Sequence, residues 1–142
     1  MAKLSPYLHL DGTTREALDF YKEVLGGEVE VMTVGEMPGA SEMEMPGGAP
    51  APAPDKVMHA TLTKGDWVLM ASDMMDPSSF TKGDTYSVCL VCDSKAEIEQ
   101  LSEKLSAGGT VFMPLEQMPF GWFTSFTDKF GVDWMLQYES NQ

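Results

Sequence analysis

The sequence predicts an α+β fold made of two tandem βαβββ modules, and three observations predict it. Two amphipathic helix patterns share one design, each is flanked by short strand-like runs, and each half then continues into a pair of strand candidates joined by a hairpin turn. Repetition at this level predicts a repeated β-α-β unit.

The first helix opens at Thr13-Thr14-Arg15-Glu16, a capping box in which a hydroxyl and a carboxylate three residues apart can satisfy free amides of the first turn. Ala17, Leu18, Tyr21, Val24 and Leu25 recur at helical spacing as one apolar stripe that needs a flat partner, and Gly26-Gly27 is the stop. The second helix repeats the design: Ser94-Lys95-Ala96-Glu97 opens it, Ile98, Leu101 and Leu105 form the stripe, and Gly108-Gly109 ends it. The two starts, Thr13 and Ser94, lie 81 positions apart. Strand-like runs YLHL and YSVCLV precede the helices, and EVEVMTV and TVFMPL follow them. Val57 to Thr63 pairs with Trp67 to Ser72 across Lys64-Gly65-Asp66, and Trp122 to Thr127 pairs with Trp134 to Tyr138 across Asp128-Lys129-Phe130-Gly131.

The whole chain, residues 1–142, reads as a single domain of module 1 (1–75) and module 2 (83–142). A loop over 35–56, rich in Pro, Gly and Ala and without periodicity, separates strands of the first module and is expected to be mobile. It reads as a solvated insertion, with Met37, Met43 and Met45 keeping open the alternative of a lid over an apolar ligand. Asp76-Pro77-Ser78-Ser79 joins the modules.

Composition excludes several function classes. Nine Lys plus Arg against 22 Asp plus Glu give a net charge of -13, which repels phosphate backbones and anionic lipid, so neither nucleic acid nor a membrane is an expected partner. There is no apolar run of membrane-spanning length, and MAKLSPYLHLDG has no basic region followed by a long apolar stretch, so a cytoplasmic location is expected. Cys89 and Cys92 are too few for a disulfide framework. Their C-x-x-C spacing lies in a strand-like run whose alternation puts them on opposite faces, and inert buried thiols are the expectation. No G-x-S-x-G elbow, P-loop or dinucleotide glycine fingerprint occurs.

The phrases PYLHLDGTTREALDFYKEVLGGEVE, VMHATLTKGDWVLMASD and MPLEQMPFGWFTSFTDKFGVDWML resemble the PhnB-like branch of the vicinal oxygen chelate (glyoxalase, bleomycin-resistance and dioxygenase-like) superfamily. The resemblance covers nearly the whole chain. It implies curled mixed sheets around a cavity, commonly completed by a homodimer, and in the enzymes a divalent metal ion with open coordination positions. Carried over without gaps, the ligand positions fall near Pro6, at Ser72 or Asp73, at Ser87 and at Met135. Pro, Ser and Met cannot together hold a hard divalent ion, so the resemblance combined with these residues implies a metal-free protein with no cofactor.

The remaining chemistry rests on the two histidines, His9 and His59, both mid-strand. Alternation points His59 into the cavity and groups His9 with Ser5 and Tyr7, whereas the gap-free alignment places Pro6, Leu8 and Leu10 inside. Of the aromatics Phe112, Phe120, Trp122, Phe123, Phe126, Phe130 and Trp134, most read as core, and Trp122 beside Gly121 is the candidate for stacking on a planar ligand. Met135 and Gln137 share a face with Asp133 in the last strand. The ligand-binding candidates are therefore Tyr7, His9, His59, Ser87, Trp122, Met135 and Gln137. The expectation is a homodimer that sequesters or senses a small molecule. The alternative is a metal-dependent lyase, isomerase or dioxygenase-type enzyme with a relocated site on His9, His59 and Asp73.

Overall fold

The computed structural model describes residues 2–36, 53–74 and 80–139. Met37, Met43 and Met45, most of the 35–56 loop, and the Asp76 to Ser79 junction lie outside the described residues. The chain divides into two compact units, Met1–Thr81 and Lys82–Gln142.

The first unit runs β1 (Tyr7–Leu10), α1 (Thr14–Leu25), β2 (Glu28–Thr33), a short 3₁₀ turn (Val34–Glu36), β3 (Val57–Lys64) and β4 (Trp67–Asp73). The second runs β5 (Val88–Val91), α2 (Lys95–Ser106), β6 (Thr110–Met118), β7 (Gly121–Thr127) and β8 (Asp133–Tyr138). Each unit is a four-stranded mixed sheet, in the orders β1-β4-β3-β2 and β5-β8-β7-β6. The first strand of each is parallel to the last, and the other pairs are antiparallel. This is the repeated βαβββ order that the sequence predicts.

The helix stripes find the sheets they need. On α1, Ala17, Leu18, Tyr21 and Leu25 are buried with Leu10, Ala60, Leu62, Leu69 and Ala71 of the sheet, while Val24 is half-buried. On α2, Ile98 and Leu105 are buried with Phe126, Trp134 and Leu136, and Leu101 is half-buried. Burial of this kind contributes roughly 25 cal/mol per Å² of apolar surface and fixes which sheet face is the core.

The two helices are capped by different devices. At α2 the expected capping box forms: the Glu97 amide donates to Ser94 Oγ at 3.1 Å, and Glu97 Oε1 accepts from the Asp93 amide at 2.8 Å. At α1 it does not form, because Thr13 makes no side-chain cap bond. The cap comes from the sheet: Asp73 Oδ1 accepts from the Thr14 amide at 3.0 Å and Oδ2 from the Val57 amide at 2.9 Å. At the other end of α1, the Lys64 ammonium donates to the Leu25 carbonyl. A carboxylate at the N-terminus and an ammonium at the C-terminus both complement the helix dipole. The Thr14 hydroxyl is buried without a hydrogen-bond partner.

The D-K-F-G-V-x-W stretch is likewise held by a buried carboxylate. Asp128 Oδ1 accepts from the Phe130 and Val132 amides, at 2.8 and 3.0 Å, and Oδ2 from the Trp134 indole N–H at 2.8 Å. The motif is a turn whose own side chain ties it to the core. Gly109 follows α2 where the chain passes so close to the Thr127 carbonyl that any Cβ would collide with it.

Strand β6 is the irregular member. It forms an edge of its sheet, its register against β7 shifts at Val111/Met113 and again at Met113/Glu116, and Pro114 lies within it. Val111, Phe112 and Met113 are exposed.

Candidate functional site

Strand alternation assigns each sheet a helix-facing row and an opposite row, and the opposite rows carry the candidate chemistry. In the first unit, Tyr7 and His9 on β1 alternate with half-buried Leu8 and buried Leu10, so both point away from α1. For His9 the strand alternation holds, and the gap-free alignment that put Pro6 inside misplaces the row. Across the sheet His9 pairs with Ser72, and the next position beyond the Ala60–Ala71 pair sets His59 beside Ser72. Met32 pairs with His59 from the other side.

The result is a cluster of Tyr7, His9 and His59 around the Ser72 position. The Tyr7 and His9 ring centroids are 5.1 Å apart, those of Tyr7 and His59 are 5.8 Å apart, and Tyr7 Oη lies 3.2 Å from His59 Nδ1. Asp73 does not join it. One residue on from Ser72, it points to the helix side, where both carboxylate oxygens are taken by backbone amides. The proposed two-histidine, one-carboxylate grouping is thus corrected: the carboxylate is a structural cap. Among the described residues no group of three or more His, Cys, Asp or Glu stands close enough together to hold a metal ion. With both Asp73 oxygens committed to backbone amides, no carboxylate or thiol completes a three-donor group with the two histidines among the described residues, and this does not fit the superfamily's divalent metal centre.

In the second unit a cleft of about 320 Å3 is lined by Lys82, Asp84, Ser87, Phe112, Phe123, Ser125, Asp133 and Met135, with parts of Phe126 and Trp134. Its floor is the row opposite α2, where Phe123 pairs with Gln137, Ser125 with Met135 and Thr127 with Asp133. Ser87 and Met135 are therefore brought to one site, with Gln137 one pair further along the same face. Trp122 is not there. Its ring lies under the Lys95 ammonium of α2, 4.5 Å from the centroid, so it belongs to the helix side. Phe123 is the β7 aromatic on the cleft-facing row, stacked edge-on by Phe120 at 5.8 Å, and Phe126 of the same strand also borders the cleft.

The charged groups of this cleft are organised. Asp133 Oδ1 accepts from the Thr127 hydroxyl at 2.5 Å, and Oδ2 from the Lys82 ammonium at 2.9 Å. Burial alone would raise the Asp133 pKa, but the Thr127 hydrogen bond and the Lys82 ammonium outweigh it and hold the carboxyl below the usual range. Cys89 is exposed on this face and Cys92 is buried, so the expectation of two buried thiols holds for only one of them. Burial first, then the Glu97, Asp93 and Cys89 charges, push the Cys92 thiol up to about 12.

Sequence reasoning missed Lys82, Asp84, Phe112, Phe123 and Ser125 as lining residues. Phe123 and Ser125 were recoverable by extending β8's alternation to β7. Lys82 and Asp84 lie in the irregular stretch before β5, where no periodicity signals orientation.

Tandem βαβββ units, each with a four-stranded mixed sheet, define a glyoxalase-type protein. Residues 4–136 match the Glyoxalase/Bleomycin resistance protein/Dioxygenase superfamily, and the chain belongs to that family. It is similar to protein PA1353 of Pseudomonas aeruginosa, at 40% identity over 98% of both chains with a TM-score of 0.83. It is also similar to a Bacillus cereus PhnB protein described as a putative 3-demethylubiquinone-9 3-methyltransferase, at 27% identity over 96% of this chain and 99% of that one, with a TM-score of 0.72. Protein YjdN of Escherichia coli (strain K12) is 29% identical over 98% of this chain and 97% of its own length.

Proposed function

We propose that this protein is a metal-free, homodimeric binder that sequesters or senses a compact, partly apolar small molecule in the cytoplasm. The observation that carries the reading is the cleft of the second unit, where Phe112, Phe123 and Met135 supply apolar walls and Ser87, Ser125 and the Lys82–Asp133 pair supply a few polar groups. That mixture is the usual make-up of a small-molecule site, and about 320 Å3 is at the low end of the roughly 300–1,000 Å3 such sites span, which favours a single-ring ligand. The metal-free part is supported by the donor chemistry, with Ser87 and Met135 at two expected ligand positions and Asp73 committed to backbone amides.

The test is purified protein assayed for metal and screened for thermal stabilisation by single-ring compounds. Substoichiometric metal, no change in melting temperature with chelator, and a ligand-dependent rise are expected. Stoichiometric metal with chelator-sensitive stability would overturn the reading. Light scattering checks the dimer.

The Tyr7–His59 contact favours a second reading, an acid–base site on the first unit's sheet, since a tyrosine hydroxyl on one imidazole nitrogen fixes the ring and leaves the other nitrogen free. Under it, His59→Gln removes turnover of a carbonyl substrate without lowering the melting temperature; a loss of stability alone makes His59 structural.

A further inference from the structure

We infer that the cleft of the second unit is selective for organic ammonium ligands, with Asp133 as counter-charge and Lys82 as the built-in occupant that such a ligand displaces. The inference deepens the binding reading above and rests on it.

The protein already seats a primary ammonium there. The Lys82 Nζ is 2.9 Å from Asp133 Oδ2, while Asp133 retains only 15% and Lys82 42% of their side-chain exposure. The acceptor is thus a sheltered group fixed on β8, and the donor is a solvated one reaching in from the irregular segment that precedes β5. Exchanging a half-exposed lysine costs little, because pairs of that kind contribute little net stability. The carboxylate is pre-set as an anion, since Thr127 donates to its other oxygen whether or not Lys82 stays.

The rest of the lining suits the same class. The charged side chains are Lys82, Asp84 and Asp133, two carboxylates to one ammonium, so a cation enters and an anion is opposed. Phe112 and Phe123 present ring surfaces to a cation or to the aryl group carrying it, and the Met135 thioether adapts to either. A neutral ligand would use the apolar walls but leave Asp133 with Lys82. Selectivity then comes from the carboxylate, and affinity from the rings.

The test uses three single-ring probes of similar shape, benzylamine, benzyl alcohol and benzoate, titrated into the full chain by calorimetry. Benzylamine is expected to bind roughly tenfold more tightly than benzyl alcohol, as a charge-assisted contact allows, and benzoate most weakly. Lys82→Met removes the competitor and should tighten benzylamine by roughly two- to fivefold. Asp133→Asn should erase the preference for benzylamine over benzyl alcohol; circular dichroism checks that this variant folds, and Lys82→Met carries the test if it does not. Equal binding of all three probes, or benzoate strongest with Lys82→Met weakening it, overturns the ammonium assignment and leaves the cleft a binding site. No binding of any probe, with or without Lys82, overturns the cleft reading and this inference together.

Discussion

At the scale of single residues, the buried aspartates Asp73 and Asp128 both hold the fold together. Asp73 sits at a position where the superfamily resemblance puts a metal donor, yet its oxygens are taken by the Thr14 and Val57 amides. Removing it leaves two backbone N–H groups without partners. Asp73→Ala should cost about 3 kcal/mol in urea unfolding, and Asp73→Asn less, because an amide oxygen still serves one donor. A variant that keeps its stability would return Asp73 to the list of ligand groups. Cys92 gives a second prediction. Its folded pKa lies near 12 against an ordinary value of 9.0, so the folded state keeps a proton that the unfolded chain releases between those values. Its stabilising contribution is whole below pH 9 and is lost as pH rises toward 12. Wild-type stability should therefore fall more steeply over that window than that of Cys92→Ala, and thiol reagents at neutral pH should label exposed Cys89 well before Cys92.

At the scale of elements, each strand and helix was legible because periodicity is a local signal. The strand spans at Tyr7–Leu10 and Val57–Lys64 follow the alternation in the sequence, and the helix stripes on Leu18, Tyr21, Ile98 and Leu105 are the ones that become buried. What local reading could not supply was a partner distant in sequence. Thr13-x-x-Glu16 has the letters of a capping box, but Thr13 makes no side-chain cap bond and the first-turn amide that is capped, that of Thr14, is taken by a carboxylate 59 residues further on. Ser94→Ala should accordingly cost about 1 kcal/mol, whereas Thr13→Ala should change stability by less than about 0.5 kcal/mol. Equal losses at the two positions would show that α1 relies on its own hydroxyl after all. The Trp122 expectation failed for a related reason: alternation says that neighbours in β7 oppose each other, but only the fold says which of them faces α2, and the Lys95 contact gives that side to Trp122.

At the scale of the whole molecule, the family and the tandem architecture were legible from the repeated design and the phrases DFYKEVLGG and DKFGVDW, because these encode the end of α1 and the Asp128 turn. The site was legible only in part. Tyr7, His9 and His59 gather on one sheet and Ser87 and Met135 in one cleft, while Lys82 and Asp84 come from a stretch with no regular structure to announce them. Strand β6, nine residues long, on the rim of its sheet and with Val111, Phe112 and Met113 exposed, has the length and composition of a template onto which further chains could stack. The double slip against β7 and the missing N–H of Pro114 interrupt that template in mid-strand. Pro114→Val, which restores a donor and a flatter edge, should raise turbidity on mild heating while the free energy of unfolding in urea stays within about 0.5 kcal/mol of wild type.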